Sequence, residues 1–159
     1  MAITLVIVVS DQLTKMAVVE FIDLYGKVAL APFLNLTHQH NYGAAFSFLA
    51  DAGGWQRWFF VVLASVVSVV LAVWVWRIRH EGPAILVAGL SLVLGGAVGN
   101  LIDRVRLGYV VDFIQVDLPV PFFDPFPSFN VADAAITVGA ALLIIDSLFF
   151  SGRSDAKSE

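Results

Sequence analysis

Three aspartates, Asp103, Asp112 and Asp133, lie at or beside the ends of strongly apolar stretches of the chain. A charged side chain near hydrocarbon is costly, roughly 2.5–3.5 kcal/mol at mid-membrane on insertion scales, so such a residue usually has a function. Two carboxyl groups placed together in these surroundings can share a proton and activate a water molecule. The pattern therefore indicates a hydrolase of the aspartyl type that works at a membrane surface.

Asp112 lies in the apolar, strand-like run Val110–Val116. A period of two places its side chain on the same face as Val110 and Ile114. Desolvation on an apolar face raises the pKa of a carboxyl group, which suits an acid that must hold a proton near neutral pH. We therefore expect the pKa of Asp112 to lie above the usual range of an aspartate.

Asp133 follows Asn130 at the start of the last apolar stretch. Asparagine is a favoured N-cap residue, which would place Asp133 at the third position of the helix. The helix dipole and the free N–H groups of the first turn stabilise an acid at that position, so a purely structural role also explains Asp133.

Asp11 and Lys15 are four residues apart and share one face of the first apolar stretch. Such a pair offsets part of the free-energy cost of burying either charge. One interpretation is an ion pair that stabilises the first helix, and the other is a supporting contact behind the acids of the site. The sequence leaves both open.

Further polar residues accompany the acids. Asn41 and Gly43 fit an ordinary turn, although Asn41 also has the donor and acceptor needed to bind a peptide backbone. Asn100 lies one turn before Arg104, and Asp103 is beside it. One interpretation is that Asp103 and Arg104 form an ion pair that closes the third helix, and the other is that Arg104 positions the backbone of a substrate.

The composition is that of an integral membrane protein. Of 159 residues, 59% are apolar and 14% are charged, and the mean hydropathy is +0.87. The formal net charge is −4 with no basic block, so nucleic-acid binding is not expected. Without cysteine, disulfides and thiol catalysis are excluded. His38 and His40 lack an evident third ligand, so we expect no metal site.

The hydropathy pattern predicts four membrane spans, at residues 1–21, 58–76, 84–101 and 132–150. Tryptophan pairs flank the second span, as expected at membrane interfaces. Ser91, Gly95 and Gly99 recur every four residues in the third span, which predicts close helix packing. Four spans put the polar stretches 22–54 and 107–128 on one side, and both contain strand-like runs.

Five motifs taken in order resemble the lipoprotein signal peptidase family (signal peptidase II): DQLTK at 11–15, NYGAAFSFL at 41–49, GGAVGNLIDR at 95–104, VVDFI at 110–114 and FNVADAAI at 129–136. Each motif is modest by itself, but five in this order around four spans are very specific. Members of that family usually have more residues before the DQ pair, so the first span is shorter here than the resemblance implies.

The resemblance implies an all-α integral membrane protein with four transmembrane helices, a small β-rich periplasmic cradle and a periplasmic loop or half-helix. Family members are aspartyl endopeptidases of the bacterial inner membrane, with both termini in the cytoplasm and the active site at the periplasmic leaflet. They remove the signal peptide from prolipoproteins by cutting before a diacylglyceryl-modified cysteine. We expect one peptidase domain over 1–152, followed by a polar tail at 153–159.

The resemblance also implies the site. Its catalytic dyad corresponds to Asp112 and Asp133. The supporting positions correspond to Asp11, Lys15, Asn41, Gly43, Asn100, Asp103, Arg104 and Asn130. The implied partners are diacylglyceryl-modified prolipoproteins, membrane lipids and the inhibitor globomycin. We expect a monomer that needs no metal or other cofactor.

Two further expectations follow from the sequence. The Pro- and Phe-rich loop over 119–129 is too apolar to be exposed to water without a function, so we expect it to close over the lipid-modified substrate.

The main alternative function is a small proton-coupled transporter, because intramembrane acids also relay protons. A relay would need acids throughout the membrane depth, and Asp146 is the one that lies far from the others.

Overall fold

The computed structural model describes residues 1–43, 53–117 and 126–150. Within these residues the helices and strands are α1 Ala2–Phe21, β1 Lys27–Ala31, β2 Leu34–Asn41, α2 Trp55–Ile78, α3 Ala84–Arg106, β3 Val110–Val116 and α4 Val131–Phe149. All four of these helices are long and apolar enough to cross a membrane. The prediction of four spans is confirmed.

The third helix is five residues longer than predicted, because it continues past Leu101 to Arg106. Its last carbonyl groups accept hydrogen bonds from a side chain in the first turn of α2. Arg57 donates from Nε to the carbonyl of Arg104 at 3.0 Å and from Nη2 to the carbonyl of Val105 at 2.8 Å. With these acceptors paired, the charged final turn remains helical.

The α3 helix is central and packs against α1, α2 and α4. Its small residues allow the backbones to approach. A Cβ added to Gly96 would meet the backbone of Ala132 on α4, and one added to Gly95 would meet Ile7 on α1. Gly89 and Gly139 lie against each other in the same way. The predicted close packing of the third span is confirmed.

The strands form one antiparallel sheet in the order β1-β2-β3. Leu36 pairs with Ile114, and Gln39 pairs with Asp112 after a register shift. The chain enters and leaves this sheet from the end of α1, the start of α2, the end of α3 and the start of α4, so it lies at one end of the helices. The strands predicted in the polar stretches are confirmed.

Some predictions involve residues 44–52, 118–125 and 151–159, which lie outside the described residues. These residues include most of the Pro- and Phe-rich loop and all of the polar C-terminal tail, 153–159. A loop or half-helix beside the sheet is likewise a prediction that the described residues do not test.

Candidate active site

Asn130 joins the two aspartates. It is fully buried and is the N-cap of α4, where its Oδ1 accepts from the backbone N–H of Asp133 at 2.9 Å. Asp133 accepts in return from the backbone N–H of Asn130 at 3.3 Å, which completes a capping box. The Asn130 amide donates to Asp112 Oδ1 at 2.8 Å. The predicted cap is confirmed, and it brings β3 and α4 together at the site.

Each aspartate also accepts from a second asparagine. Asn41 Nδ2 donates to Asp112 Oδ2 at 2.9 Å, and Asn100 Nδ2 donates to Asp133 Oδ1 at 2.8 Å. Burial, followed by the charge of Asp133, raises the pKa of Asp112 to about 7, although the bonds from Asn41 and Asn130 oppose the shift. The rise expected from desolvation is confirmed.

A buried ion cluster lies behind Asp133. Lys15 Nζ contacts Asp11 Oδ2 at 2.8 Å and Asp103 Oδ2 at 2.9 Å, and it donates to Asn100 Oδ1 at 3.0 Å. The Asp11–Lys15 pair is thus an ion pair within α1, and Lys15 also bonds Asn100, which donates to Asp133.

The same cluster fixes neighbouring backbone. Asp11 Oδ1 accepts from the N–H of Ala132 at 2.9 Å, at the start of α4. Asp103 Oδ2 accepts from the N–H of Val111 at 3.1 Å, at the start of β3. Charges from α1 and α3 thus set the positions of the two elements that carry the aspartates.

The predicted ion pair between Asp103 and Arg104 is wrong. Consecutive side chains on a helix are about 100° apart, so Asp103 contacts Lys15 while Arg104 turns toward Gly43 and Phe60. Arg104 Nη2 donates to the carbonyl of Gly43 at 2.6 Å, and its guanidinium lies 5.1 Å from the centre of the Phe60 ring. The Arg104 side chain is therefore held from the β2 end and from α2.

Asn41 and Gly43 form the predicted turn, since Asn41 Oδ1 accepts from the N–H of Gly43 at 2.9 Å. The same Asn41 side chain contacts Asp112 through its amide nitrogen. The turn and the contact with the site are therefore made by one side chain. A turn of this kind fixes the asparagine rotamer and aims its N–H groups.

Two residues of this region were missed from the sequence. Gln12 Nε2 donates to Asp103 Oδ1 at 2.9 Å and contacts the carbonyl of Gly99 at 3.3 Å. Its polarity within an apolar helix, next to Asp11, was the available signal. Phe60 gave none, because an aromatic residue in a membrane span is ordinary.

Other polar residues lie apart from the aspartates. His38 Nδ1 contacts the carbonyl of Ile22 at 2.9 Å, and the Nε2 atoms of His38 and His40 are 3.2 Å apart. Among the described residues there is no group of three potential metal ligands. Asp146 is buried on α4, 146 − 133 = 13 residues beyond Asp133, or about 20 Å along the helix.

A cavity of about 700 Å³ opens beside the aspartates. Its walls are mostly apolar and come from Phe60, Leu63 and Val67 of α2 and from Ile136 and Val138 of α4. Asp112, Asp133 and Arg104 also line this cavity. The arrangement sets acid–base groups against a space that suits an apolar ligand.

The fold and the site define a multi-pass membrane enzyme with a buried and a half-buried carboxyl group beside an apolar cavity. The model of the family described as signal peptidase (SPase) II matches residues 3–149. The chain therefore belongs to the signal peptidase II family, and it is a membrane peptidase.

Relatives support this assignment. A lipoprotein signal peptidase of Acinetobacter baumannii is 46% identical over 159 residues, which cover 100% of this chain and 88% of that protein. One of Shewanella amazonensis is 48% identical over 156 residues, or 98% of this chain and 90% of that protein. The family and these names support removal of signal peptides from prolipoproteins. They give no support to the proton-coupled transporter.

Solved structures agree with the fold. A bacterial membrane enzyme determined by the in meso method at 2.3 Å resolution superposes with a TM-score of 0.79 at 33% identity, over 92% of this chain and 85% of that one. A second, at 1.9 Å resolution, gives a TM-score of 0.78, also at 33% identity, over 94% and 92% of the two chains.

Proposed function

We propose that this peptidase is an aspartyl endopeptidase that cuts prolipoproteins immediately before a diacylglyceryl-modified cysteine. The observation that carries the proposal is the pairing of Asp112 and Asp133 through Asn130 at the edge of an apolar cavity. Family membership supplies the substrate class, and the paired carboxyl groups supply a means of hydrolysis. No covalent intermediate is required.

The two aspartates divide the acid and base roles. Asp112, with a pKa of about 7, is protonated in a large fraction of molecules at neutral pH and donates a hydrogen bond to the scissile carbonyl oxygen. Asp133 is ionised, and it accepts hydrogen bonds from Asn100 and from the backbone of Asn130. It takes a proton from the attacking water while the Asp112 proton passes to the carbonyl oxygen.

The resulting tetrahedral diol then breaks down. Asp133 returns its proton to the amide nitrogen as the C–N bond breaks, and Asp112 recovers a proton from one hydroxyl of the diol. The products are a carboxylic acid and a free amine, and the dyad regains its starting state. Asn41 and Asn130 hold the Asp112 carboxyl in place through both turnover steps.

The supporting residues position the reactants. Arg104 lines the cavity near both aspartates and can donate to a substrate carbonyl. Lys15 acts through Asn100, because it bonds the amide oxygen and so directs the amide nitrogen toward Asp133. Asp11, Asp103 and Gly43 orient these groups rather than touch substrate.

The position of the site in the membrane explains why the enzyme selects a lipid-modified substrate with an apolar signal peptide. The signal peptide enters the apolar cavity from the bilayer, and the diacylglyceryl chains hold the cysteine at the membrane surface. We place the sheet and the dyad at the periplasmic side of the bacterial inner membrane, in a monomer with one peptidase domain over 1–152. Globomycin then acts by occupying the same cavity.

Purified protein tests the proposal with a prolipoprotein supplied in two forms, with and without the diacylglyceryl group. We expect a shift in gel mobility for the modified form only, and globomycin should abolish the shift. A chelator should leave the rate unchanged. Equal cleavage of both forms, or no cleavage of the modified form, would contradict the proposal.

A further inference from the structure

A second cavity, of about 270 Å³, adjoins the apolar one at Asp112. Asp112 and Asn41 line both cavities, as do Pro127 and Ser128. The remaining wall of the smaller cavity comes from Gln39, His40 and Gln115 of the sheet. The carboxyl group of Asp112 therefore lies at the junction of an apolar space between helices and a polar space against the sheet.

The polar cavity has hydrogen-bonding groups to offer. Gln39 and Gln115 are partly exposed side chains, and each amide carries two donors and an acceptor. No hydrogen bond within residues 1–43, 53–117 and 126–150 engages either side-chain amide. The neighbouring carboxyl group and asparagines are already occupied with one another. The two glutamines are thus the groups of this wall that a ligand would meet first.

The position of Asp112 limits what the ligand can be. A peptide whose scissile bond lies at the aspartates can extend into both cavities, because Asp112 borders both. The preceding apolar signal sequence matches the larger cavity, so the residues after the bond must leave along the polar one. Gln39 pairs with Asp112 across the sheet, and Gln115 lies three residues beyond Asp112 on β3. Because an extended chain advances about 3.3 Å per residue, the residues just after the modified cysteine come within reach of both glutamines.

We propose that the polar cavity is a subsite for the second and third residues of the mature lipoprotein, with Gln39 and Gln115 as its specificity-determining residues. It selects side chains with amide or hydroxyl groups, because those exchange hydrogen bonds with both glutamines. This inference rests on the proposed function and extends it to the far side of the scissile bond.

Two diacylglyceryl-modified substrate peptides test the subsite. They differ only at the second and third mature positions, which are serine and asparagine in one and two leucines in the other. We expect the full-length wild-type protein to favour the polar peptide in kcat/KM. Gln39→Leu and Gln115→Leu should each reduce that preference by roughly two- to tenfold, the value of one hydrogen bond, mainly through KM.

Lys27→Leu is the matched control, because Lys27 is an exposed polar residue of the same sheet outside the cavity. It should keep the wild-type preference. Cleavage of the leucine peptide by each variant shows that the variant is folded. If a glutamine variant loses kcat/KM equally on both peptides, the glutamine acts in delivering water or in stabilising the protein, and the proposed subsite is overturned. An unchanged preference for the polar peptide would also overturn it. Failure of the wild type to cut either peptide would instead reject the proposed function.

Discussion

At the scale of single residues, the site depends on buried side chains that each satisfy several partners. Asn130 caps α4 with its oxygen and contacts Asp112 with its nitrogen. Lys15 meets two carboxylates and one amide oxygen. Because each group is buried and paired, removing one partner leaves another with an unmet charge or hydrogen bond.

The pH dependence of cleavage tests the assignment of the proton. With Asp112 as the acid, kcat/KM should fall as the pH rises through about 7, where Asp112 loses its proton. The Asn41 bond stabilises the ionised form, so Asn41→Leu should raise the pKa and move this alkaline limb to higher pH. An unchanged limb, or a shift to lower pH, would contradict the assignment whatever the change in rate.

The ion cluster gives a stability prediction. Lys15→Met leaves Asp11 and Asp103 buried without their cation, so the free energy of unfolding in detergent should fall by about 3–5 kcal/mol. Lys27→Met is the control, because its pair with Asp117 is exposed and 3.5 Å long, and it should cost no more than about 1 kcal/mol. Similar losses for the two variants would show that the cluster is not stabilising.

The residue-scale predictions succeeded where the cause is local. The cap at Asn130 follows from neighbours in the chain, and the raised pKa of Asp112 follows from its apolar run. The partners of Arg104 come from Gly43 and Phe60, which are distant in sequence. No spacing rule within α3 identifies such partners, so the sequence led to the wrong pairing with Asp103.

At the scale of elements, α3 organises the molecule. Its glycines predicted close packing, but they did not show which helix meets which glycine. In the structure Gly96 faces Ala132, one residue before Asp133, so the contact between α3 and α4 also sets the position of the site. The length of α3 was underestimated because its final charges resemble a helix end until Arg57 is seen to pair its carbonyl groups.

Gly96→Val should damage both stability and activity. A Cβ at Gly96 would meet the Ala132 carbonyl and the Ile136 side chain, so α4 must move and carry Asp133 with it. We expect a loss of roughly 1–3 kcal/mol in unfolding free energy together with a lower kcat. Ala140→Val adds two methyl groups at an exposed position of α4 and should change neither quantity. Wild-type activity in Gly96→Val would mean that this contact does not position Asp133.

At the scale of the whole molecule, the connectivity gathers the sheet and both aspartates at one end of the four helices, while the turn between α2 and α3 lies at the other. This arrangement followed from the count of spans in the sequence. The positive charges are nearly level on the two sides, so they do not decide the orientation. The family supplies the proposed orientation, which is open to direct test.

Single cysteines test the orientation, because the chain has none of its own. Lys27→Cys and Glu81→Cys both use exposed positions outside the helices. In intact spheroplasts a membrane-impermeant thiol reagent should label Lys27→Cys, and it should label Glu81→Cys only after the membrane is opened. Labelling of both in intact spheroplasts, or the reverse pattern, would contradict the proposed topology.

In the proposed mechanism, Asp112 and Asp133 together hydrolyse the peptide bond. The most direct measurement is the rate at which purified Asp112→Asn and Asp133→Asn cut a diacylglyceryl-modified prolipoprotein. Each should be slower by at least roughly 10²–10⁴-fold, because an amide can neither ionise nor pass a proton. Asp146→Asn, about 20 Å away along α4, should keep nearly the wild-type rate. Wild-type cleavage by Asp112→Asn would contradict the account.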